Sequence, residues 1–545
     1  MTATTYTRRR ALRLGAGFAV AAALVACSSN RSSDRGDRGT PTPVAVSKLI
    51  RPRTLVAGAR PGAATMQLGR VRPAGAPADW DADDILFVYS RLVAVDPREP
   101  GVSAGLAHGV EQPDPLTVRF LLRDGLRFHP DADDQVRPLT AEAIRADFVR
   151  RAAEGHPLFK DVIDRVEVPD NHSVSLRLRA RFGLVFDLLA AADASIRSER
   201  PYKGSDIPAG SGVFMPVQHD SLKSRYVANN LGGGAIAPLL AGIDITAAPT
   251  AADLDAMFSR GEVDVRAYSA GLATPPPIPT DARLARRPAR RLRGLGLSLL
   301  PSKNGVTVRA VEAFQDQRVR KAVALSLDRN ALRALDDAYT AGPVGPAHAG
   351  DALPVAELDG HELYRRDPAS ARALLSAAGH DGLSFHLAFP DQSLMLSMAQ
   401  IVADNLAAAG FSPQLQNLPT TDWQKVFLAG DFETVLFDLG GLDTPDLGLR
   451  LHTTGGLTGR FSTWGYSNPL YDAATRKALA ALDPGERAYL SREAQRLLLD
   501  DVPAMFPVSA SPEYALIADG VSAYEFEAYD YNTGFLAANW AIGRR

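Results

Sequence analysis

Short apolar runs with strand and helix periods alternate along the body of this 545-residue chain, and no segment repeats at a fixed interval. Because strands and helices must each bury an apolar face, this alternation predicts an α/β fold. The chain is longer than one hydrophobic core usually supports, so we expect two or three domains. No run in the body reaches 18 consecutive apolar residues, so the body is not expected to span a membrane.

Two β-hairpins are predicted in the first half of the chain. Apolar residues alternate through 116–122, and Asp124-Gly125 offers a tight turn into 126–128. A second hairpin is predicted to join 165–168 to 174–178 through the turn residues between them. We therefore assign residues 87–204 to a strand-rich domain of their own.

Helix and strand signals follow one another after residue 360. Asp367 and Pro368 predict a helix start, and Gly379 predicts its end. Alternating apolar residues in 383–389 indicate a strand, and the apolar face within 398–409 indicates another helix. This order indicates an α/β domain.

An arginine-rich segment precedes residue 300, where five of the eight residues from Arg286 to Arg293 are arginine. It follows Pro275-Pro276-Pro277 in a polar, irregular stretch. We interpret this stretch as loop, with its charges forming a solvated face rather than a phosphate site.

The charge balance and the cysteine count exclude several classes. The chain has 60 Lys and Arg against 62 Asp and Glu, without a basic stripe, so nucleic acid is not an expected partner. Cys27 is the single cysteine, which excludes an internal disulfide and a cysteine-rich metal site.

The N-terminus has the pattern of an export signal. Arginines at 8–10 and 13 precede an apolar run from about Ala16 to Ala26 that is too short for an ordinary membrane span. The run ends at Leu24-Val25-Ala26-Cys27, which resembles a bacterial lipobox. That resemblance implies cleavage of residues 1–26 and a lipid on Cys27. Residues 27–48 are polar and are predicted to be a flexible tether. Arg8-Arg9-Arg10 also resembles a twin-arginine signal, so the export route stays open.

Sequence motifs give no support for catalysis, a metal site or a cofactor. It contains no phosphate-binding loop and no dinucleotide-binding glycine pattern. Residues 101–105 fit G-x-S-x-G, but a proline-containing stretch stands where that motif needs a strand. His361-Glu362 lacks the second histidine of a zinc-protease helix, and 129–134 lacks the glycine and terminal glutamate of a calcium loop. We therefore predict no catalytic residues, no metal site and no cofactor.

Residues 87–93 read FVYSRLV, and residues 114–128 read DPLTVRFLLRDGLRF. These segments are similar to the "YEGLV" stretch and the "TYTFTLRDGVKF" signature of one family of binding proteins. Further segments match that family in the same order and spacing: 106–108, 138–144, 210–214, 259–265, 314–322, 328–329, 377–379, 465–469 and 501–503. The body of the chain therefore resembles the dipeptide, oligopeptide and nickel class of extracellular solute-binding proteins, family 5.

The resemblance implies a type II periplasmic-binding-protein fold, with two lobes around a cleft and an additional third domain. Lobe I would comprise 49–86, 205–300 and 507–545, lobe II would comprise 301–506, and 87–204 would be the additional domain. The chain would cross between the lobes near 300 and near 507.

The resemblance also implies a function. A monomer held at the cell envelope, with its soluble part in the periplasm or extracellular space, would capture a peptide in the cleft. It would then deliver the peptide to the permease and ATPase subunits of an ABC importer, without acting as an enzyme.

In relatives, an aspartate pairs with the ammonium of a bound peptide, and Asp443 is the matching position here. Gly440 stands where relatives have an aromatic residue, and Phe437 where some have a basic one. The ligand carboxylate therefore lacks an obvious partner, and Arg450 and Arg460 are candidates.

Aromatic side chains are the other expected lining of the cleft. Trp423, Trp464 and Tyr466 flank Asp443 in the sequence, while Tyr89 and Phe214 come from matching segments of the other lobe. Core packing is the alternative role for each ring.

Three alternatives to peptide import stay open. The ligand could be a nickel chelate, haem or an oligosaccharide; the protein could be an envelope sensor or chaperone without transport; or it could be a lipid-anchored hydrolase.

Overall fold

A computed structural model describes residues 50–51, 64–231, 237–269, 274–300, 309–457 and 463–543. Strands and helices are mixed throughout these ranges, which confirms the α/β class. None of the helices described is both long and apolar enough to cross a membrane. The predicted signal 1–26, Cys27 and the tether 27–48 lie outside the described ranges.

The strands are numbered in chain order as β1 (Ile50–Arg51), β2 (Thr65–Val71), β3 (Val93–Ala94), β4 (Val102–Ala104), β5 (Ala107–Asp114), β6 (Thr117–Leu122), β7 (Ile163–Asp170), β8 (Ser173–Leu178), β9 (Phe214–His219), β10 (Lys223–Ala228), β11 (Gly242–Ala248), β12 (Val265–Tyr268), β13 (Ala282–Pro288), β14 (Leu292–Leu297), β15 (Tyr339–Thr340), β16 (Ser384–Pro390), β17 (Ser412–Leu418), β18 (Thr434–Leu439), β19 (Met505–Ala510), β20 (Pro512–Ala518), β21 (Val521–Ser522) and β22 (Ala541–Ile542).

The α-helices are α1 (Ala82–Val88), α2 (Ala141–Ala153), α3 (Val185–Ala190), α4 (Ala251–Ser259), α5 (Arg309–Gln315), α6 (Gln317–Ser326), α7 (Arg329–Ala334), α8 (Val355–Gly360), α9 (Pro368–Ala377), α10 (Ser393–Ala408), α11 (Thr420–Ala429), α12 (Pro445–Arg450), α13 (Pro469–Ala480), α14 (Pro484–Asp500) and α15 (Tyr529–Gly534).

The described residues form five sheets, and three of them, with seven, six and four strands, each pack against a hydrophobic core of their own. A seven-stranded sheet has the order β13-β20-β12-β2-β11-β10-β9, a six-stranded sheet the order β15-β19-β14-β18-β16-β17, and a four-stranded sheet the order β5-β6-β8-β7. We call each sheet with its core the seven-, six- and four-stranded unit. The division into domains at the boundaries expected from the sequence stays a prediction.

Local signals predicted several elements well. The side chain of Asp367 accepts a hydrogen bond from the Ser370 N–H at the start of α9, and β16 and α10 follow as expected. The second hairpin is confirmed, because β7 and β8 pair in antiparallel fashion. The first hairpin is wrong: β6 pairs with β5 and β8 instead of with 126–128.

The arginine-rich segment is not a loop with a solvated face. It forms the end of β13, a three-residue crossing at 289–291, and the start of β14. This first crossing carries the chain from the seven-stranded to the six-stranded sheet, and a second crossing, at Ser511, carries it back. The strands on either side of the two crossings pair with each other, β13 with β20 and β14 with β19. The two crossings are therefore neighbours in space.

A buried ion pair lies where the crossings meet. Arg293 of β14 has a fully buried side chain, and its Nη1 lies 3.0 Å from Asp336 Oδ1. The Nε–H of Arg293 donates to Ser511 Oγ at 3.0 Å. Arg293 thus joins the loop before β15 to both crossings.

The four-stranded unit packs closely on the six-stranded unit. Arg487 of α14 is buried and pairs with Asp187 of α3 and with Asp351, whose Oδ1 is 3.2 Å from its Nε. The Gly183 N–H donates to the Leu479 carbonyl at 2.7 Å. A Cβ on Gly183 would lie 2.0 Å from the Ala481 carbonyl oxygen, so this approach requires glycine.

We expect Asp336→Ala to lower the free energy of unfolding of the six-stranded unit by about 3–5 kcal/mol, because it leaves the Arg293 charge buried without its carboxylate. Urea denaturation followed by tryptophan fluorescence measures this. Asp422→Ala is the control: Asp422 is exposed and pairs with Lys425 at 2.8 Å, so its loss should lower stability by less than about 1 kcal/mol. Equal losses for the two variants would contradict the role given to Asp336.

Candidate functional site

The candidate site lies where the loop between β18 and α12 meets the first crossing. Leu292, just after the crossing, pairs with Leu439 at the end of β18. The Leu442 N–H then donates to the Arg290 carbonyl at 3.2 Å. These contacts hold Asp443 beside the crossing.

Asp443 and Arg290 form the centre of this site. The Asp443 side chain is 58% exposed, and its Oδ1 lies 4.0 Å from Arg290 Nη1. That separation is an ion-pair contact but is too long for a hydrogen bond. Asp443 therefore keeps a carboxylate that can accept hydrogen bonds from a ligand.

Arg290 is held from its other side by the C-terminal part of the chain. Its Nη1 lies 2.9 Å from Asp530 Oδ2, and its guanidinium lies 4.7 Å from the centre of the Tyr529 ring. Burial alone would raise the pKa of Asp530, but the Arg290 guanidinium holds that pKa below its ordinary value. Arg290 thus stands between carboxylates of two different parts of the fold.

A second arginine lies against the Asp443 loop. Arg291 Nε donates to Asp438 Oδ1 at 3.0 Å. A Cβ on Gly440 would lie 2.6 Å from Arg291 Nη1. The guanidinium of Arg291 therefore occupies the space beside position 440, where the resemblance leads us to expect an aromatic side chain.

Arg287 fixes the same region from the seven-stranded unit. Its Nε lies 2.7 Å from Glu513 Oε2, and its guanidinium lies over the rings of Phe526 and Tyr529, at 4.1 and 4.3 Å. Tyr529 has φ of 50°, which non-glycine residues rarely adopt, and its hydroxyl donates to the Pro288 carbonyl. These contacts fasten the C-terminal segment to the first crossing.

A small cavity of about 10 Å³ lies behind Asp443. Its lining comes from the crossing, from the Asp443 loop with α12, and from the segment before α8: Ala289, Arg290, Arg291, Leu292, Val344, Gly345, Ala347, His348, Leu442, Thr444, Pro445 and Gly448. A volume of this size has room for about one water molecule. The cavity therefore shows that the Asp443 loop is closely packed from behind, and it does not itself hold a ligand.

His348 forms one wall of this cavity. Its Nε2 lies 2.7 Å from the Leu442 carbonyl oxygen, so Nε2 carries the hydrogen and donates it. Burial, with Arg290 nearby, lowers the pKa of His348 to about 4. The imidazole is therefore neutral at neutral pH and supports the Asp443 loop without adding charge.

The aromatic residues predicted near Asp443 lie in the core of the six-stranded unit. The indole N–H groups of Trp464 and Trp423 donate to the carbonyls of Leu451 and Leu436, at 3.0 and 3.1 Å. The Tyr466 hydroxyl donates to Asp501 at 2.5 Å. The structure gives all three a packing role, and their contact with a ligand stays a prediction.

Tyr89 and Phe214 lie in a different core, that of the seven-stranded unit, and are not brought together with Asp443. Phe214 is fully buried. The Tyr89 hydroxyl donates to the Pro208 carbonyl at 2.9 Å, and its side chain also lines a separate cavity of about 70 Å³ with Arg91 and Gly534. Ligand contact again stays a prediction.

The two arginines expected to meet a ligand carboxylate are not placed at this site by the structure. Arg450 is buried in α12, where it donates to the Leu457 carbonyl at 2.6 Å and lies 3.7 Å from Asp446. Arg460 lies outside the described residues. The arginines at the site are Arg290 and Arg291, which sequence reasoning missed. Their cluster within 286–293 was the available signal.

The fold and the comparisons with known proteins agree. The model of the family "Bacterial extracellular solute-binding proteins, family 5 Middle" matches residues 101–459. This chain is therefore a two-lobed, type II periplasmic-binding protein, and it belongs to that solute-binding family. Proteins of this family bind solutes and are not enzymes.

Individual relatives extend over most of the chain. Di/tripeptide-binding protein 2 of Pseudomonas aeruginosa is 25% identical over 471 residues, which are 76% of this chain and 82% of that protein. The glutathione-binding protein GsiB of Salmonella typhi is 26% identical over 464 residues, covering 78% and 85%. The solved structure of HbpA2 from Haemophilus parasuis is similar in fold, with a TM-score of 0.70, 18% identity, and coverage of 88% and 100%.

We expect acid to destabilise the protein partly through His348. Its folded-state pKa of about 4 lies below the ordinary 6.5, so the stability it contributes is present above pH 6.5 and is lost as the pH falls toward 4. Between pH 7 and pH 5 this loss should be roughly 2 kcal/mol. His348→Gln should lose correspondingly less stability in urea denaturation at the two pH values.

The exposed His108→Gln controls for the loss of an imidazole elsewhere. Burial also lowers the pKa of His129 to about 4 and that of His452 to about 3, so the variant should reduce the pH dependence without abolishing it. An unchanged difference between pH 7 and pH 5 in His348→Gln would show that His348 is not buried in the neutral form.

Proposed function

We propose that this protein is the exported, lipid-anchored solute-binding component of an ABC importer for short peptides. The observation that carries the proposal is the exposed carboxylate of Asp443, held at the crossings between two sheets beside a fixed arginine. Membership of the solute-binding family supports capture and delivery as its task. The printed names of two relatives, for di- and tripeptides and for glutathione, support a short peptide as the ligand.

In this proposal the two crossings are the hinge. The seven-stranded unit is the body of lobe I, the six-stranded unit is lobe II, and residues 87–204 form the additional domain. The hinge positions are 289–291 and Ser511 rather than 300 and 507, because the chain changes sheets there. Rotation about two adjacent strands opens and closes a cleft beside Asp443.

The ligand ammonium binds Asp443 through charge-assisted hydrogen bonds, which are about twice as strong as neutral ones. A ligand that touches both lobes stabilises the closed state by its differential affinity for that state. The permease recognises the closed protein, and the ATPase subunits drive release.

The cell envelope is the proposed location. A lipid on Cys27 holds the protein at the membrane, and residues 27–48 let the monomeric body reach the permease.

The solute that co-purifies with the protein should be a set of peptides of two or three residues. Denaturing the protein purified from its own host, followed by mass spectrometry of the released molecules, measures this directly. A single non-peptide species, such as a nickel chelate, haem or an oligosaccharide, would contradict peptide capture while leaving the family assignment intact.

Asp443→Asn should weaken binding of a di- or tripeptide at least about tenfold, because a charged hydrogen bond to the ammonium is lost. Isothermal titration calorimetry with the best ligand measures the change. Unchanged affinity would remove Asp443 from the site.

Asp381→Asn is the matched control for this substitution. Asp381 is an exposed aspartate of the same lobe that precedes β16, whereas Asp443 follows β18. Because β16 and β18 are parallel, the two residues lie at opposite ends of the sheet. The control should bind like the wild type.

A further inference from the structure

A carboxylate and a guanidinium lie side by side at the candidate site, in Asp443 and Arg290. Together they can distinguish ligands by the groups on the carbon that bears the ammonium. We infer that this site selects a ligand whose free ammonium and free carboxylate sit on the same carbon, as at the γ-glutamyl end of a γ-linked peptide. The N-terminus of an ordinary α-linked peptide lacks that carboxylate. The inference rests on the proposed function and names the ligand class for the same site.

The distance between Asp443 and Arg290 leaves room for a ligand ammonium and a ligand carboxylate to bind side by side. The 4.0 Å between Asp443 Oδ1 and Arg290 Nη1 leaves the pair without a direct hydrogen bond. Asp443 is 58% exposed and Arg290 is 22% exposed, so both present surface to a ligand. An ammonium and a carboxylate on one carbon are separated by a few ångströms, as Asp443 and Arg290 are. The ammonium can therefore face Asp443 while the carboxylate faces Arg290.

Arg290 does not depend on Asp443 for its position. Its partner is Asp530 at 2.9 Å, and the ring of Tyr529 lies 4.7 Å from its guanidinium. The contact with Asp530 uses Nη1, and the Nε of Arg290 is buried, so the terminal groups Nη1 and Nη2 are the ones that can donate to a second acceptor. Arg290 is therefore a cation that stays in place when the ligand ammonium approaches Asp443.

The two other arginines of the site form ion pairs with carboxylates of the protein itself. Arg287 pairs with Glu513 at 2.7 Å, and Arg291 pairs with Asp438 at 3.0 Å. Asp443, by contrast, makes its ion-pair contact at 4.0 Å. The ligand ammonium therefore meets a carboxylate whose charge is not already hydrogen-bonded to an arginine.

The chemistry of the two peptide ends then determines which is preferred. In an α-linked peptide, the carbon that bears the ammonium also bears a neutral amide, and the C-terminal carboxylate lies several bonds away. At a γ-glutamyl end, the same carbon bears a carboxylate. A guanidinium forms stronger, charge-assisted and bidentate hydrogen bonds with a carboxylate than with an amide oxygen.

Calorimetry with two isomers tests this preference. γ-Glu-Ala and α-Glu-Ala have the same atoms and the same formal charges and differ only in which glutamate carboxyl forms the peptide bond. The wild-type protein should bind γ-Glu-Ala at least about tenfold more tightly, equivalent to about 1.4 kcal/mol. This comparison needs no variant, so it does not depend on whether a substituted protein folds.

Variants then assign the preference to Arg290. In Arg290→Met the ratio of the two affinities should fall close to one, and Arg290→Lys should keep part of it. Arg165→Met is the control, because Arg165 is 59% exposed on β7 of the four-stranded unit. The control should keep the wild-type ratio.

The other outcomes separate this inference from the proposed function. Binding of α-Glu-Ala as tight as that of γ-Glu-Ala, or tighter, would overturn the γ-glutamyl preference and leave peptide capture standing. Failure of both isomers, together with failure of a di- and tripeptide library, would overturn both. An undiminished preference in Arg290→Met would overturn the role of Arg290.

Discussion

The buried ion pair between Arg293 and Asp336 is the interaction on which the candidate site depends. It lies where both crossings meet, and Ser511 of the second crossing accepts a hydrogen bond from Arg293. Buried charges are screened little by salt, so this pair holds β14 in position at low and at high ionic strength. Because β14 pairs with β18, the same strand fixes both Arg290, just before it, and the Asp443 loop that follows β18.

The proposed hinge, which would also bind a ligand, combines rigid and adjustable contacts. Arg293 is fully buried and belongs to the rigid part. Arg290 and Asp443 keep exposed surface and form a long ion pair, so a ligand can bind there without breaking the core. Release also requires that binding stay moderate, and solvent-exposed charges favour this because they are partly screened. In the proposed function, the buried charge of Arg293 holds the two crossings together, and the exposed charges of Arg290 and Asp443 are left to bind the solute.

Local sequence signals predicted the elements that local physics determines. The cap at Asp367, the strand β16 and the β7–β8 hairpin follow from periodicity and turn residues. The predictions that were wrong concern contacts between segments that are distant in the sequence. The turn signal at Asp124-Gly125 could not show that β6 would pair with β5 and β8.

The same limit applies to the side chains of the site. Phe214 lies in a segment that resembles the family and Trp464 lies just before another, yet the burial of both side chains depends on packing that the sequence does not display. The arginine cluster suggested a solvated face because its acidic partners, such as Asp336 and Asp530, are distant in sequence.

The structure explains two departures from the family pattern, at positions 437 and 440. Phe437 is fully buried against Trp464, with ring centres 5.6 Å apart, so β18 contributes packing there in place of a basic group. Gly440 leaves the space beside it to the guanidinium of Arg291. Positive charge therefore reaches the Asp443 loop from the crossing rather than from β18, and this places a cation beside the carboxylate instead of a few residues before it.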